Sequence, residues 1–399
     1  MRILHTGDFH LTNRGTVAGR YVLRHGVNLT LWDRIAAVRR ICEYAEEDSP
    51  DLIVIAGDLF DHPNPENVAI KVAVEAVERL ADIAPIVVIK GNHDGAKGNE
   101  FANALAPFGR LALRHGVYVS DRPTVIPIPL TPKTIVFTLP YPRKSALRSE
   151  PQYKTLSPEE LGRLVGFKLE EILSGFTTEI EHDAINILVG HFTVSGGMYS
   201  KEQIVPPFDM SVRKEFVDKF DLALLGHLHE PQPYYCGTIS RSGFGEEDTK
   251  VGFKVYDVQP DKEVGVIRSD EEFIELPARK YLTVKAVDFL KGDGMLAGVD
   301  SETVVRIKGR VQKFERDDIV KKIRELRLPF VQNAVETESD TVKTEHGMSD
   351  EPTVEEAIRI WVKDKTGIDK FIDKIVEGAK EIEYRWRTGE QEEGEGHAV

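Results

Sequence analysis

The sequence predicts an α/β fold: a largely parallel sheet with a second sheet layer and flanking helices, then a small α+β module and C-terminal helices. Three observations carry this. Short β-branched apolar runs alternate with longer amphipathic stretches over the first 230 residues. An alternating apolar/polar stretch follows at 249–285. Beyond it, residues 281–337 read strand, loop, strand, helix, strand.

The elements follow in order. "RILHT" (2–6), "DLIVIAG" (51–57) and "IVVIKG" (86–91) are apolar through and through, as strands covered on both faces are. Between them, 31–47 and 66–81 place apolar residues three and four apart and read as helices. Strand, helix, strand in succession is the βαβ pattern of a parallel sheet. Short strands with Pro-rich turns at 111–139 fit a second layer. A helix at 157–174 and strands "AINILVG" (184–190) and "DLALLG" (221–226) complete the set. The expected domains are 1–280, a small module at 281–337, a polar linker at 338–352, a helical segment at 353–388 and a disordered tail at 389–399. No internal repeat is apparent.

Hydrophobic residues make up 41% and charged residues 30%, a balance that supports a large core. No run approaches the ~20 apolar residues of a membrane span, and "MRILHTGDFH" lacks the apolar core of a signal peptide. Cys42 and Cys236 have no CxxC partner, which excludes a cysteine zinc site and points to a reducing, cytoplasmic setting. A net charge of -14 argues against a protein that coats nucleic acid with its whole surface.

Chemistry concentrates where the predicted strands end. Asp8 and His10 follow the first, Asp58 and Asp61 the second, and Asn92, His93 and Asp94 the third. His191, His227 and His229 follow the later two. Parallel α/β sheets gather functional groups at the carboxyl ends of their strands. Buried Asp and His without partners are costly, so their recurrence calls for a shared partner. Carboxylates, an amide oxygen and imidazoles form a divalent-metal donor set, larger than one ion needs, and two ions ~3.5–4 Å apart would use it. Mixed N/O donors without thiolate suit Mn²⁺, Fe²⁺ or Zn²⁺ better than Mg²⁺ or Ca²⁺. The other histidines, at positions 5, 25, 62, 115, 182, 346 and 397, lack this context.

D-x-H, G-D-x-x-D, G-N-H-D, G-H and G-H-x-H, in this order, resemble the calcineurin-like metallophosphoesterases. The resemblance implies a two-layered β-sandwich flanked by helices. It implies that Asp8, His10, Asp58 and His229 hold one ion, and that a bridging Asp58, Asn92, His191 and His227 hold the other. His93 would then meet the scissile phosphate, with Asp94 orienting or charging its ring. Asp61 reads equally as support for the site or as a helix N-cap.

Gly237, Thr238, Arg241, Phe244, Gly245 and Glu246, with "GDLFDHPNPE" and "HFTVSGG", are similar to the SbcD-type DNA-end-processing nucleases over about 1–285. This implies a Mn²⁺-dependent DNA exonuclease and endonuclease. It would act on double-strand breaks as a homodimer with an SbcC-type coiled-coil ATPase gripped by the C-terminal helices. In that family the small module contacts DNA. Here Arg306, Lys308, Arg310, Lys313, Arg316, Lys321, Lys322, Arg324 and Arg327 outnumber Glu315, Asp317, Asp318 and Glu325. A solvated helix laced with ion pairs is the competing reading. The apolar faces at 353–388 (Trp361 and Phe371 among them) need a partner surface, either that ATPase or the chain itself. The 11–34 loop is longer than the usual turn of that family and flanks the expected metal centre. A stand-alone phosphatase or cyclic-nucleotide phosphodiesterase, and a non-catalytic scaffold, are the alternatives.

Overall fold

The computed structural model describes residues 1–95, 103–142, 153–201, 210–261, 266–292, 296 and 298–337. The linker, helical segment and tail expected at 338–399 lie outside them. Met1–Glu336 forms one compact unit.

The first sheet is built around β1 (Arg2–Thr6), which pairs in parallel with β4 (Leu52–Ile55). β5 (Ile86–Ile89) and β6 (Val117–Ser120) extend the parallel run. On its other side β1 pairs antiparallel with β13 (Gly252–Asp261), which pairs antiparallel with β14 (Val266–Glu275). A four-stranded second sheet has the order β12 (Leu222–Gly226), β9 (Ile185–His191), β8 (Thr134–Leu139), β7 (Thr124–Ile128). Two short pairs complete this region: the hairpin β2 (Leu23–Arg24) with β3 (Val27–Asn28), and β10 (Thr193–Val194) with β11 (Ser211–Val212).

Alternate residues of each strand face opposite ways, and here both faces are apolar for different reasons. Ile3, Leu52, Val54, Val87 and Ile89 meet Val136, Ile185, Ile187, Val189 and Leu224 of the other sheet. Leu4, Ile53, Ile55, Ile86 and Val88 point outward against helices α1 (Leu29–Asp48) and α2 (Asn67–Ala81), through Val38, Ile41, Ala73 and Val77 among others. Phe137, Leu188 and Leu225 likewise turn out against the helix Pro158–Thr177, through Val165, Leu169 and Leu173. The result is a two-layered β-sandwich with helices outside both sheets, each buried aliphatic side chain contributing about 1.5–3 kcal/mol. Cys42 is one of the small apolar contacts of α1, and Cys236 is also buried and unpaired.

Helix starts follow their capping residues. The Asn28 side chain accepts from Thr30 N at 2.9 Å at the head of α1. Ser157 and Glu160 form a reciprocal capping box before Pro158–Thr177. The small module has its own core of Val284, Phe289, Val305, Ile307 and Ile319. Its sheet runs β15 (Tyr281–Lys285), β16 (Val304–Val311), β17 (Phe330–Thr337), with helix Lys313–Glu325 between the last two. A further short helix, Ala286–Lys291, forms where the sequence reads as a loop.

The long 11–34 segment takes a direction its sequence does not announce. Val17 and Leu29 pack with Phe244, Tyr281 and Val304, and Arg24 pairs with Glu302, so the segment braces the small module. Arg279, almost fully buried, reinforces this by a two-armed pair with Asp33 at 2.7 and 2.8 Å.

Candidate metal centre

Each predicted strand end delivers its side chains to one place. The three short loops after β1, β4 and β5 interlock: Asp8 N donates to Gly57 O at 3.0 Å and His10 N to Asp58 O at 2.9 Å. Asp58 in turn accepts from His93 N through Oδ1 at 2.8 Å. Asp8 accepts from His227 N at 3.0 Å, which ties the first sheet to the second. Such close approach needs residues without side chains nearby. A Cβ on Gly91 would stand 2.0 Å from Asp58 Oδ1, and one on Gly57, whose φ is +93°, 2.2 Å from His191 Nδ1.

The backbone also bends where these donors sit. Asp8, His10, Asp58 and His227 have φ of 49°, 47°, 48° and 95°, in the left-handed region that non-glycine residues seldom occupy. Strain of this kind costs about 1–3 kcal/mol per residue and is held only where the surroundings fix it. It aims two carboxylates and two imidazoles inward from turns of minimal length.

Three donor clusters result among the described residues: Asp8, His10 and His229; Asp8, Asp58 and His191; and His10, Asp61 and His93 toward the rim. His10 Nε2 lies 3.1 Å from His229 Nε2 and 3.9 Å from both Asp8 Oδ1 and Asp58 Oδ2. His191 Nε2 lies 3.3 Å from Asp58 Oδ2, and Asn92 Oδ1 is 3.0 Å from both His191 Nε2 and His227 Nδ1. Asp8, Asp58 and His191 are buried, so bulk water does not screen them.

The charges are correspondingly perturbed. Burial raises the Asp8 carboxyl, with the neighbouring Asp58 charge adding to the rise. Burial also opposes ionisation of Asp58, yet the His191 ring holds it far below the usual carboxylate range. Against its own burial, His191 is pushed up to about 9 by Asp58 and Asp8. Burial and the His191 charge push His227 down to about 3, so this ring stays neutral with a lone pair to offer. The centre calls for positive charge and provides N and O donors around it, which fits divalent cations.

His93 stands at the rim, its side chain 41% exposed and its ring centroid 4.8 Å from that of His10. Its Nδ1 lies 2.9 Å from the Asp61 carbonyl. Asp94 is turned otherwise than the sequence suggests. Its two oxygens accept from Phe60 N and Gly91 N, both at 2.9 Å, and burial beside Asp58 raises it to about 7. It secures the loops, and the His93 ring rests on Asp61. Nor does Asp61 cap α2, whose N-cap is Glu66; its Oδ1 lies 3.3 Å from His10 Nδ1. Burial works against the Asp61 charge, and the His10 contact brings it down to about 2 nonetheless.

One contributor has no role assigned to it by sequence alone. Glu246, in the turn Phe244–Glu246, takes His229 Nδ1 at 2.5 Å and accepts from Ser242 N at 2.6 Å. Burial and this hydrogen bond act oppositely on Glu246, which is lowered overall, while His229 is raised. A carboxylate behind a ligand histidine fixes its tautomer and sharpens its basicity. Thr238 does similar work by donating to Asp8 O at 2.9 Å. The resemblance at Gly237, Thr238, Arg241, Phe244, Gly245 and Glu246 is the signal that marks it in the sequence.

The basic residues of the small module divide. Arg306 is half-buried, 4.5 Å over the Phe244 ring and hydrogen-bonded to Thr283 Oγ1, and so holds the module together. Arg310 is exposed and pairs with Glu336 at 3.0 Å. Lys308 and Lys313 are exposed.

Comparison with known proteins agrees with the geometry. The family model of the calcineurin-like phosphoesterases matches residues 1–231. The SbcD subunit of the nuclease SbcCD from Staphylococcus epidermidis is 29% identical over 301 residues, 72% of this chain and 73% of that protein. The solved structure of Haemophilus influenzae NAD nucleotidase overlaps at a TM-score of 0.31 and 13% identity. That overlap covers 82% of this chain but only 60% of the other, too loose to carry an argument. No helix among the described residues is long and apolar enough to cross a membrane.

Proposed function

Because the chain belongs to the calcineurin-like phosphoesterase family, a group of hydrolases acting on phosphoester bonds, we propose that it is a two-metal phosphodiesterase that cuts DNA. The observation that carries the reading is Asp58 Oδ2 standing between the two donor groups, 3.9 Å from His10 Nε2 and 3.3 Å from His191 Nε2, with His93 exposed beside them. Asp8, His10, Asp58 and His229 would hold one ion, and Asp58, Asn92, His191 and His227 the other. Mn²⁺ is the proposed metal, with Fe²⁺ or Zn²⁺ as substitutes. Two such cations, when bound, would supply an activated water at neutral pH and offset charge developing on phosphorus.

The chain's own residues set the rest. With Nδ1–H given to the Asp61 carbonyl, the transferable proton of a charged His93 sits on Nε2. From the rim, that proton is placed to pass to the leaving oxygen. Asp94 keeps the GNH loop against the Phe60 turn, so that Asn92 and His93 hold their positions. Glu246 orients His229.

DNA is favoured by the identity of the relative, part of a nuclease, and by the exposed Lys308 and Lys313. The same relationship supports a homodimer working with an SbcC-type ATPase on DNA double-strand breaks in the cytoplasm. The proposed domain division keeps 1–280 as the nuclease and 281–337 as a cap, and assigns the ATPase contact to the C-terminal residues. End-labelled linear duplex DNA with Mn²⁺, comparing the native chain with His93→Ala, tests the proposal. Cleavage that depends on Mn²⁺ and on His93 supports it. Hydrolysis of bis(p-nitrophenyl) phosphate without any DNA cleavage, even with an SbcC-type ATPase added, would move the substrate to small phosphoesters.

A further inference from the structure

A cleft of about 490 Å³ opens beside the metal centre, lined by Lys90, Arg122, Pro123, Tyr141 and Leu169 among others. Its size is that of a small-ligand site, roughly 300–1,000 Å³. Tyr141 links it to the centre: its ring lies 5.5 Å from the ring of His227 and 6.1 Å from that of His191.

The cleft is built, not incidental. Tyr141 N donates to Lys90 O at 3.0 Å, and Lys90 N donates to Ser120 O at 2.9 Å. The Arg122 carbonyl accepts from the Ser120 and Thr124 hydroxyls at 2.8 and 3.0 Å. Three segments from both sheets are thereby locked edge to edge. Prolines before and after Tyr141, and Pro123 opposite, offer rigid apolar surfaces with no N–H to satisfy. Leu139 and Leu169 form a buried apolar base. The Arg122 side chain is exposed, and the one acid of the lining, Asp121, is 3.3 Å from Asn103 Nδ2. A flat, aromatic ligand with an anionic group fits this composition, since a tyrosine face accepts a base and a guanidinium accepts phosphate.

We propose that the cleft receives a nucleotide adjoining the scissile phosphate of a nucleic-acid strand, Tyr141 stacking on its base and Arg122 meeting a flanking phosphate. This rests on the DNA phosphodiesterase reading above and extends it to base contact at the centre itself.

The test uses the full chain with Mn²⁺, a fluorescein-labelled hexathymidylate, and a labelled hexamer of the same sugar–phosphate backbone without bases. Tyr141→Ala should lower kcat/KM on the thymidylate about 10-fold or more, the usual scale of base stacking. It should leave the abasic hexamer unchanged, and Tyr141→Phe should restore the thymidylate rate. Arg122→Ala should raise KM on both hexamers, kcat unchanged, with a salt dependence reduced by about one phosphate contact. Anisotropy of the labelled hexamers, read in a His93→Ala background, should reproduce the Tyr141 pattern in binding. Equal losses on both hexamers would show that Tyr141 acts only through His227, and equal activity on both would show that the cleft is not used; either overturns the assignment. If the native chain, even with an SbcC-type ATPase added, cuts neither hexamer yet hydrolyses bis(p-nitrophenyl) phosphate, the nucleic-acid reading falls, and this assignment with it.

Discussion

Replacing Glu246 with Gln tests whether the support behind His229 sets metal affinity. The carboxylate takes His229 Nδ1 through one oxygen at 2.5 Å and Ser242 N through the other at 2.6 Å. Glutamine keeps one acceptor and puts an N–H₂ where the second acceptor stood. A donor then faces a donor on one side, whichever way the amide turns. A buried donor left unsatisfied costs about 1–3 kcal/mol, and Glu246 is only 6% exposed. Lost support of this kind weakens metal binding roughly 10–100-fold, about 1.4–2.7 kcal/mol. Calorimetric titration with Mn²⁺ should therefore show one of two sites weakened by that factor, while the site that includes Asn92, His191 and His227 keeps its affinity. Affinities within twofold of the native chain at both sites would refute the argument that Glu246 acts through His229.

Four other outcomes follow from the same geometry. His93→Ala should lose turnover by at least about 100-fold while calorimetry still finds two bound ions, since the residue stands at the rim. Gly91→Ala should abolish binding at the Asp58 site, because its methyl would lie 2.0 Å from Asp58 Oδ1 and 2.4 Å from the Asp58 N; circular dichroism would show whether the fold survives. His5, fully buried, is held down to about 3 by desolvation and the Lys254 charge. Below its ordinary pKa of 6.5 the unfolded chain takes a proton that the folded chain refuses until about 3, so its contribution falls with pH across that window. Urea unfolding of His5→Leu relative to the native chain should accordingly improve by about 1.5–2 kcal/mol between pH 6.5 and pH 5. Finally, saturating Mn²⁺ at about 100 times its Kd should raise stability by about 2.7 kcal/mol per site, and a chelator should remove the gain, as read by thermal unfolding.

The cluster of donor side chains was legible because of where its members fall. Asp8, Asp58, Asn92, His191 and His227 each sit at or just past the end of an apolar run, and a glycine marks nearly every turn. Roles that depend on distant pairing were not legible. Glu246 stands in a recognisable run, but its role emerges only when the chain folds it onto His229. Asp94 follows His93 in sequence, but the turn sends its carboxylate to backbone amides while Asp61 comes under the ring. The central strands bury both faces and are uniformly apolar, whereas β6 and β7 are short and half-buried, so periodicity could not assign one to the first sheet and the other to the second. A count of basic residues likewise could not show that Arg306 is spent on Phe244 and Thr283.

The order in which the chain leaves a ribosome gives one pairing a further meaning. β1 lies inside the first sheet, yet its partner β13 begins only at Gly252, and His229 with Glu246 also arrives late. A growing chain that stops short of these residues has an open sheet edge along β1 and an incomplete set of donors. Closure of that edge and completion of the donor set therefore both wait for the end of synthesis of this region. For a phosphoesterase, strand order thus sets when the centre can first form.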